Sequence, residues 1–336
     1  MSGGPRAAVL AGLGAWLPPK VVGNAELADR LGTTDEWIRT RTGISRRHVV
    51  EPGMSTVGLA TEAGALALKS AGLTEVGAVV LATTTPDRPC PASAPEVAHR
   101  LALGTVPAMD VGAVCAGFVY ALATGAGLVA AGAADSVLVI GADTFSTIVN
   151  PADRGTAVVF GDGAGAVVLR AGTAAEPGAL GPFDLGSDGE HAELVMIPAG
   201  GSRQRALGRA APQEEHYFTM AGRTTFRHAV TRMSGSARAV LARAGWSLSD
   251  VDRLVGHQAN ARILTALGEE LGMPGDRVVC TIDRTGNTAA ASIPLALADA
   301  AATGELRPGH RVLLTSFGGG LAWGSAVLTW PAVSPA

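Results

Sequence analysis

Short apolar runs punctuate the chain at Ala78–Leu81, Val137–Ile140, Ala157–Phe160 and Ala166–Leu169, each the length of a buried strand. Between them lie longer segments whose apolar residues recur at helical spacing. That alternation predicts parallel or mixed sheets covered by helices, an α/β chain. Ala7–Leu17 predicts a first strand. Ser55 opens a helical segment that stops near Gly72, and Ser93 with Glu96 three residues on reads as a capping box. From Ala113 to Ala134 nearly every residue is small or apolar, but Thr124 and four glycines interrupt the stretch, which predicts a helix buried between sheets rather than a membrane span.

Phe160-Gly-Asp-Gly-Ala-Gly165 and Phe317-Gly-Gly-Gly320 each lead into an apolar run, one in either half of the chain. Each half also sets its candidate chemistry behind a strand-like run, Cys115 in the first and His257 in the second. These parallels predict an internal duplication, with halves 1–175 and 176–336 and a crossing loop over residues 171–180. Glycine pairs such as Gly12/Gly14 and Gly161/Gly163 do not form a dinucleotide fingerprint. Pro18-Pro19 interrupts the first context, and a strand, not a helix, follows the second.

Composition narrows the function classes. Hydrophobic residues make up 47% of the 336 and charged residues 16%, so the chain folds around a large core. A net charge of -3 without basic runs argues against nucleic acid. Three cysteines without paired spacing and seven scattered histidines offer neither a disulfide framework nor a metal site, and fit a reducing cytoplasm. Ala7–Leu17 follows Arg6 as a signal-peptide core would, but it is short, broken by glycine and without a cleavage site.

Cys115 lies in Asp110-Val-Gly-Ala-Val-Cys-Ala-Gly-Phe118, where a strand-like run meets the small-residue helix. A thiol at a helix start faces free backbone N–H groups and the positive end of the dipole, which favour the thiolate. Cys90 and Cys280 lack such a setting. Two polar islands in apolar surroundings, His257-Gln-Ala-Asn260-Ala-Arg262 and Gly286-Asn287-Thr, supply the complementary groups. A neutral imidazole and a carboxamide could both donate to the oxygen of a second carbonyl while it becomes an enolate, which suits chemistry in which a carboxylate leaves as CO2. Gly318-Gly319-Gly320 offers backbone donors for a second oxyanion, although such a run also suits a plain turn.

Taken with Thr34-Asp-Glu-Trp37-Ile-Arg-Thr-Arg41, Ala82-Thr-Thr-Thr-Pro-Asp87 and Asp153-Arg-Gly155, these motifs resemble β-ketoacyl-acyl carrier protein synthase III nearly end to end. The resemblance implies a thiolase-like five-layer αβαβα fold, normally a homodimer. It implies an acyl-cysteine at Cys115, loaded from an acyl-CoA and attacked by decarboxylating malonyl-acyl carrier protein, with no permanently bound cofactor and no metal. His257 and Asn287 would hold the malonyl oxygen, and the N–H groups of Cys115 and Gly319 the other oxyanion. Trp37 and Arg154 would stack on the CoA adenine, with Thr33 and Arg41 nearby and Gly222 and Asn260 along the pantetheine channel. Arg262 matches a carrier-protein docking position. Phe317 and Cys90 would bound the acyl pocket, Cys90 standing where fatty-acid members carry a phenylalanine that floors the partner subunit's pocket. A smaller residue there implies larger starters, as in polyketide priming.

Other classes fit less well. A cysteine hydrolase would want a carboxylate behind His257, and nothing singles one out. A degradative thiolase would need a second cysteine in the Gly318–Gly320 loop, and a non-enzymatic scaffold need not keep Cys115, His257 and Asn287 together. Transfer of the acyl group to an alcohol or amine acceptor is the main alternative, because it could use the same cysteine.

Overall fold

A computed structural model describes residues 6–336. The first half runs β1 (Ala7–Trp16), β2 (Val21–Gly23), α1 (Asn24–Leu31), α2 (Asp35–Thr42), β3 (Arg46–His48), α3 (Thr56–Ala71), β4 (Ala78–Ala82) and α4 (Ala94–Arg100). It continues with β5 (Ala108–Val111), α5 (Gly117–Ala130), β6 (Ser136–Asp143) and β7 (Gly163–Gly172). The second half comprises β8 (Leu180–Ser187), β9 (Val195–Met196), α6 (Ser202–Arg205), β10 (Thr219–Met220), α7 (Gly222–Ala244) and β11 (Arg253–Gly256). It ends with α8 (Ala261–Leu271), α9 (Ile282–Thr285), α10 (Ser292–Ala302), β12 (Arg311–Gly318) and β13 (Ala322–Thr329).

Two sheets carry the structure. The first has the order β1-β7-β6-β4-β5, and the second β8-β13-β12-β11, with Val278 bridging beyond β11. In each sheet an inner pair is parallel, β4 with β6 and β11 with β12, while β7 and β13 run antiparallel to β6 and β12. Helix α3 covers the outside of the first sheet, α7 packs on the outside of the second, and α5 and α10 lie between the two. The central core therefore mixes Val80, Val139 and Val167 with Leu122, Leu297, Val312 and Leu314. This is the expected five-layer α/β arrangement.

Close approach explains the glycines that mimic a nucleotide motif. A Cβ at Gly14 would fall 2.3 Å from the Ala63 carbonyl oxygen, and one at Gly12 would fall 2.4 Å from that of Ala67, so both let α3 lie directly on β1. The Ser55 prediction holds: its hydroxyl accepts from Gly58 N–H and Gly72 closes α3 in the left-handed region.

Two local expectations fail. Ala157–Phe160 is a buried turn, not a strand, because Phe160 stacks on Phe145 at 4.2 Å and pairs through its backbone with Asn287 alone. The capping box at Ser93 does not form. The Asp110 carboxylate accepts from the N–H groups of Ser93 and Ala94, both at 2.7 Å, while Glu96 turns to Arg88 and Arg100. No helix among the described residues is long and apolar enough to cross a membrane.

Candidate active site

A cavity of about 830 Å³ opens between the two halves, and Cys115, His257, Asn287, Phe317, Gly318 and Gly319 all line it. Cys115 sits in a 3-10 turn, Val114–Ala116, one step before α5. Val114 opens the turn at φ 47°. Ala289 repeats that angle at the start of a second 3-10 turn, Ala289–Ala291, which precedes α10 and packs against the first. The two turns match residue for residue, so Ala290 stands where Cys115 stands in the first half. His257, by contrast, follows β11.

The glycine loop is held tight against the nucleophile. A Cβ at Gly318 would lie 2.7 Å from Cys115 N and 2.9 Å from Ala116 N, so only glycine lets β12 end there. At Gly319 a Cβ would meet the Val195 carbonyl oxygen at 3.0 Å.

The electrostatics of the cysteine differ from the expectation. Burial, and then the charge of Asp143, push the Cys115 thiol up, although its own backbone N–H works the other way. Both effects favour the thiol over the thiolate. Asp143 ends β6 fully buried, accepting from Thr84 N–H, Thr85 N–H and the Thr83 and Thr85 hydroxyls through one oxygen, and from Ala290 N–H through the other. Burial still pushes its carboxyl up to about 6. The helix-start pattern was visible in sequence; a carboxylate arriving from another strand was not.

His257 and Asn287 are both buried. Burial pushes the His257 imidazole down to about 3, so it is uncharged at neutral pH. Its Nδ1 lies 2.6 Å from the Ser292 hydroxyl. The Asn287 side-chain oxygen accepts from Ala289 N–H at 2.9 Å, which leaves its NH2 group as the free end. The Asn287 backbone is clamped from both sides, donating to Val159 O and accepting from Gly161 N–H. Gly286 permits this with φ 69°, where a Cβ would meet Arg47 Cβ at 2.9 Å. Arg47, a buried arginine, donates to Val22 O, the Asn24 side chain and Val158 O, and so braces the same turn.

At the cavity mouth Trp37 lies within cation–π range of two guanidiniums, Arg41 at 4.7 Å and Arg154 at 4.9 Å. Asn260 caps α8 and donates to Arg41 O at 2.9 Å, tying α8 to α2. Gly222 and Arg262 line the cavity too, and so do Arg223 and Arg227 near the start of α7. Sequence reasoning missed that last pair; their four-residue spacing just after Gly222 was the available signal. Val195, Phe218 and Met220 are further lining residues it missed. Thr33 lies outside the lining residues, and exposed Cys90 is not part of its own chain's cavity.

Layers and cavity together define a condensing enzyme of thiolase-like fold. Residues 109–189 match the family model of 3-oxoacyl-[acyl-carrier-protein (ACP)] synthase III, and residues 241–330 match that of its C-terminal part. The chain is 61% identical to beta-ketoacyl-[acyl-carrier-protein] synthase III 3 of Streptomyces coelicolor, over 98% of this chain and 99% of that protein. The crystal structure of the synthase III from Pseudomonas aeruginosa PAO1 superposes with TM-score 0.92 at 51% identity, covering 98% and 100% of the two chains. The priming beta-ketosynthase of the R1128 polyketide pathway gives 0.91 at 32% identity, covering 100% and 99%. The chain belongs to the β-ketoacyl-acyl carrier protein synthase III family, and it is an acyltransferase of the ketosynthase type.

Proposed function

We propose that this enzyme primes chain synthesis by joining an acyl-CoA starter to malonyl-acyl carrier protein. The observation that carries the reading is the convergence on one cavity of a thiol, an uncharged imidazole and an amide with its NH2 end free. Cys115 Sγ attacks the thioester carbon, and the N–H groups of Cys115 and Gly319 receive the oxyanion. CoA leaves with the proton the thiol gave up, so the exchange is proton-neutral. Malonyl-carrier protein then enters, and His257 and the Asn287 NH2 group hold its thioester oxygen while CO2 departs. The resulting enolate carbon attacks the acyl-cysteine carbonyl and expels Cys115 as a thiolate, which takes up a proton from solvent, and the product is 3-oxoacyl-carrier protein.

Five arginines, Arg41, Arg154, Arg223, Arg227 and Arg262, against one carboxylate, Asp153, give the lining a cationic balance suited to the phosphates of CoA and of a carrier protein. Trp37 with Arg154 and Arg41 would take the adenine, with Thr33 close by, and Gly222 and Asn260 would flank the pantetheine. Arg262 would dock the acidic carrier. The matching strand orders of the two sheets and the twin turns at Cys115 and Ala290 support an origin of halves 1–175 and 176–336 by duplication.

A homodimer is part of this reading. Strand β5 ends the first sheet, and its four residues are half-exposed along an edge that pairing with a second copy would satisfy. Asp110 on β5 holds the N–H of Ser93, which keeps the Cys90 loop beside that edge. Cys90 would then border the partner subunit's acyl pocket, with Phe317 bounding its own, and the small thiol leaves room for starters longer than acetyl.

Intact-mass detection of acyl-Cys115 across acetyl-, isobutyryl- and hexanoyl-CoA, followed by addition of malonyl-carrier protein, tests the reading. We expect an acyl adduct that disappears as 3-oxoacyl-carrier protein forms. Free acid, or transfer to an alcohol or amine without a new carbon–carbon bond, would overturn it.

A further inference from the structure

Ser292 is the first residue of α10 and is 1% exposed. Its Oγ lies 2.6 Å from His257 Nδ1, and the backbone N–H of Gln258 donates to the same oxygen at 3.4 Å. A serine hydroxyl has one proton to give. Among the described residues its Oγ makes these two contacts and no other, and the Gln258 N–H is itself a donor. Donating the hydroxyl proton to Nδ1 is the arrangement that leaves no buried proton of this pair unbonded, and Nδ1 then carries a lone pair. The single proton of the uncharged ring is then on Nε2, the nitrogen that has no hydrogen-bond partner among the described residues.

The surroundings hold this arrangement still. Gln258 is fully buried, and all of its side-chain contacts are to backbone. Nε2 of Gln258 donates to Gly256 O at 2.8 Å and Val279 O at 3.1 Å, while its Oε1 accepts from Thr281 N–H at 2.8 Å. That amide cross-links the end of β11 to the segment running on toward Asn287. Helix α10 starts beside the same segment, so Ser292 reaches Nδ1 from a fixed backbone.

We propose that Ser292 is a positioning residue for carbon–carbon bond formation: its hydroxyl fixes His257 as the Nε2–H tautomer, so that the ring presents a donor to the malonyl thioester oxygen. The inference rests on the function proposed above. Acylation of Cys115 needs no such donor, because its oxyanion is received by backbone N–H groups. With the serine removed, Nδ1 is left buried and unpaired, and the other tautomer becomes accessible. That tautomer would aim a lone pair at the forming enolate.

The test combines 15N NMR of histidine-labelled protein with rate measurements on Ser292→Ala and Ser292→Thr, the His257 signals being identified as those missing from His257→Gln. In the wild type we expect a pyridine-type Nδ1 and a pyrrole-type Nε2. Ser292→Ala should acylate from the best acyl-CoA within about twofold of wild type and condense with malonyl-carrier protein about 10- to 100-fold more slowly. Ser292→Thr, which keeps the hydroxyl, should recover most of the condensation rate. A pyrrole-type Nδ1 in the wild type overturns the proposal, as does wild-type condensation by Ser292→Ala or an equal loss of both steps. If Ser292→Ala does not fold, the wild-type spectrum and the threonine variant decide. A wild type that acylates but forms no carbon–carbon bond defeats the proposed function and leaves the tautomer measurement standing.

Discussion

Asn287 turns its NH2 group to the cavity because its amide oxygen is bonded to Ala289 N–H, and in the proposed tautomer His257, bonded to Ser292 through Nδ1, presents Nε2–H beside it. Burial pushes His257 down to about 3, below the ordinary value of 6.5. A depressed histidine leaves stability untouched above pH 6.5 and subtracts from it as pH falls toward 3, since the unfolded ring takes up the proton first. An NMR titration should therefore show His257 uncharged down to about pH 4, and a midpoint near 6.5 would contradict its dry setting. Asn287→Ala should still form acyl-Cys115 but condense about 100- to 1,000-fold more slowly, the usual cost of one oxyanion donor, read as product formed per acylated enzyme. Full condensation by that variant would remove the amide from the chemistry. Cys115, His257 and Asn287 were legible in the sequence as polar residues isolated in apolar runs. Ser292 was not, because a serine at a helix start looks like many others. The upward push on the Cys115 thiol was not legible for a related reason: the desolvation around it, and Asp143 from the end of β6, are tertiary facts.

At the scale of elements, continuous apolar runs marked β4, β6 and β7, which are buried almost throughout, the stretch Ala7–Leu17 marked β1, and an apolar-periodic segment marked α3. The pattern failed at Ala157–Phe160, where an apolar run of strand length folds as a turn against Phe145 and Phe218. Burial without periodicity fits either outcome. It failed again at Ser93, where Asp110 from β5 displaced the local cap. Glycines separate into two kinds once packing is known. Gly14→Ala would drive a methyl into the α3 backbone, 2.3 Å from Ala63 O, and should destabilise the protein by about 1–3 kcal/mol in chemical denaturation. Gly127 lies within α5 with open space around its Cβ position, so Gly127→Ala should stabilise by about 0.5–1 kcal/mol. Equal effects at the two sites would mean that α3 does not lie on β1 as closely as described.

For the whole molecule the consequential residue is Cys90, which is exposed on its own chain and absent from its own cavity. Enlarging it should do nothing to starter choice if each chain works alone, because nothing near the site would change. In the proposed dimer the same substitution acts across the β5 edge and fills space in the neighbouring cavity. Cys90→Phe should then lower kcat/KM for hexanoyl-CoA relative to acetyl-CoA by tenfold or more, since one methylene in an apolar pocket is worth about 1–3 kcal/mol and a hexanoyl chain carries several beyond acetyl. Acetyl turnover should stay close to wild type, as the reacting groups are untouched. Sedimentation run beside the kinetics separates the possibilities. A dimer with the shifted preference supports the edge pairing, whereas a dimer whose preference is unchanged moves the pocket floor to residues of the same chain such as Phe160, Phe218 and Met220, which already line the cavity with Cys115. A monomer that condenses at full rate would remove the second subunit from the acyl pocket altogether.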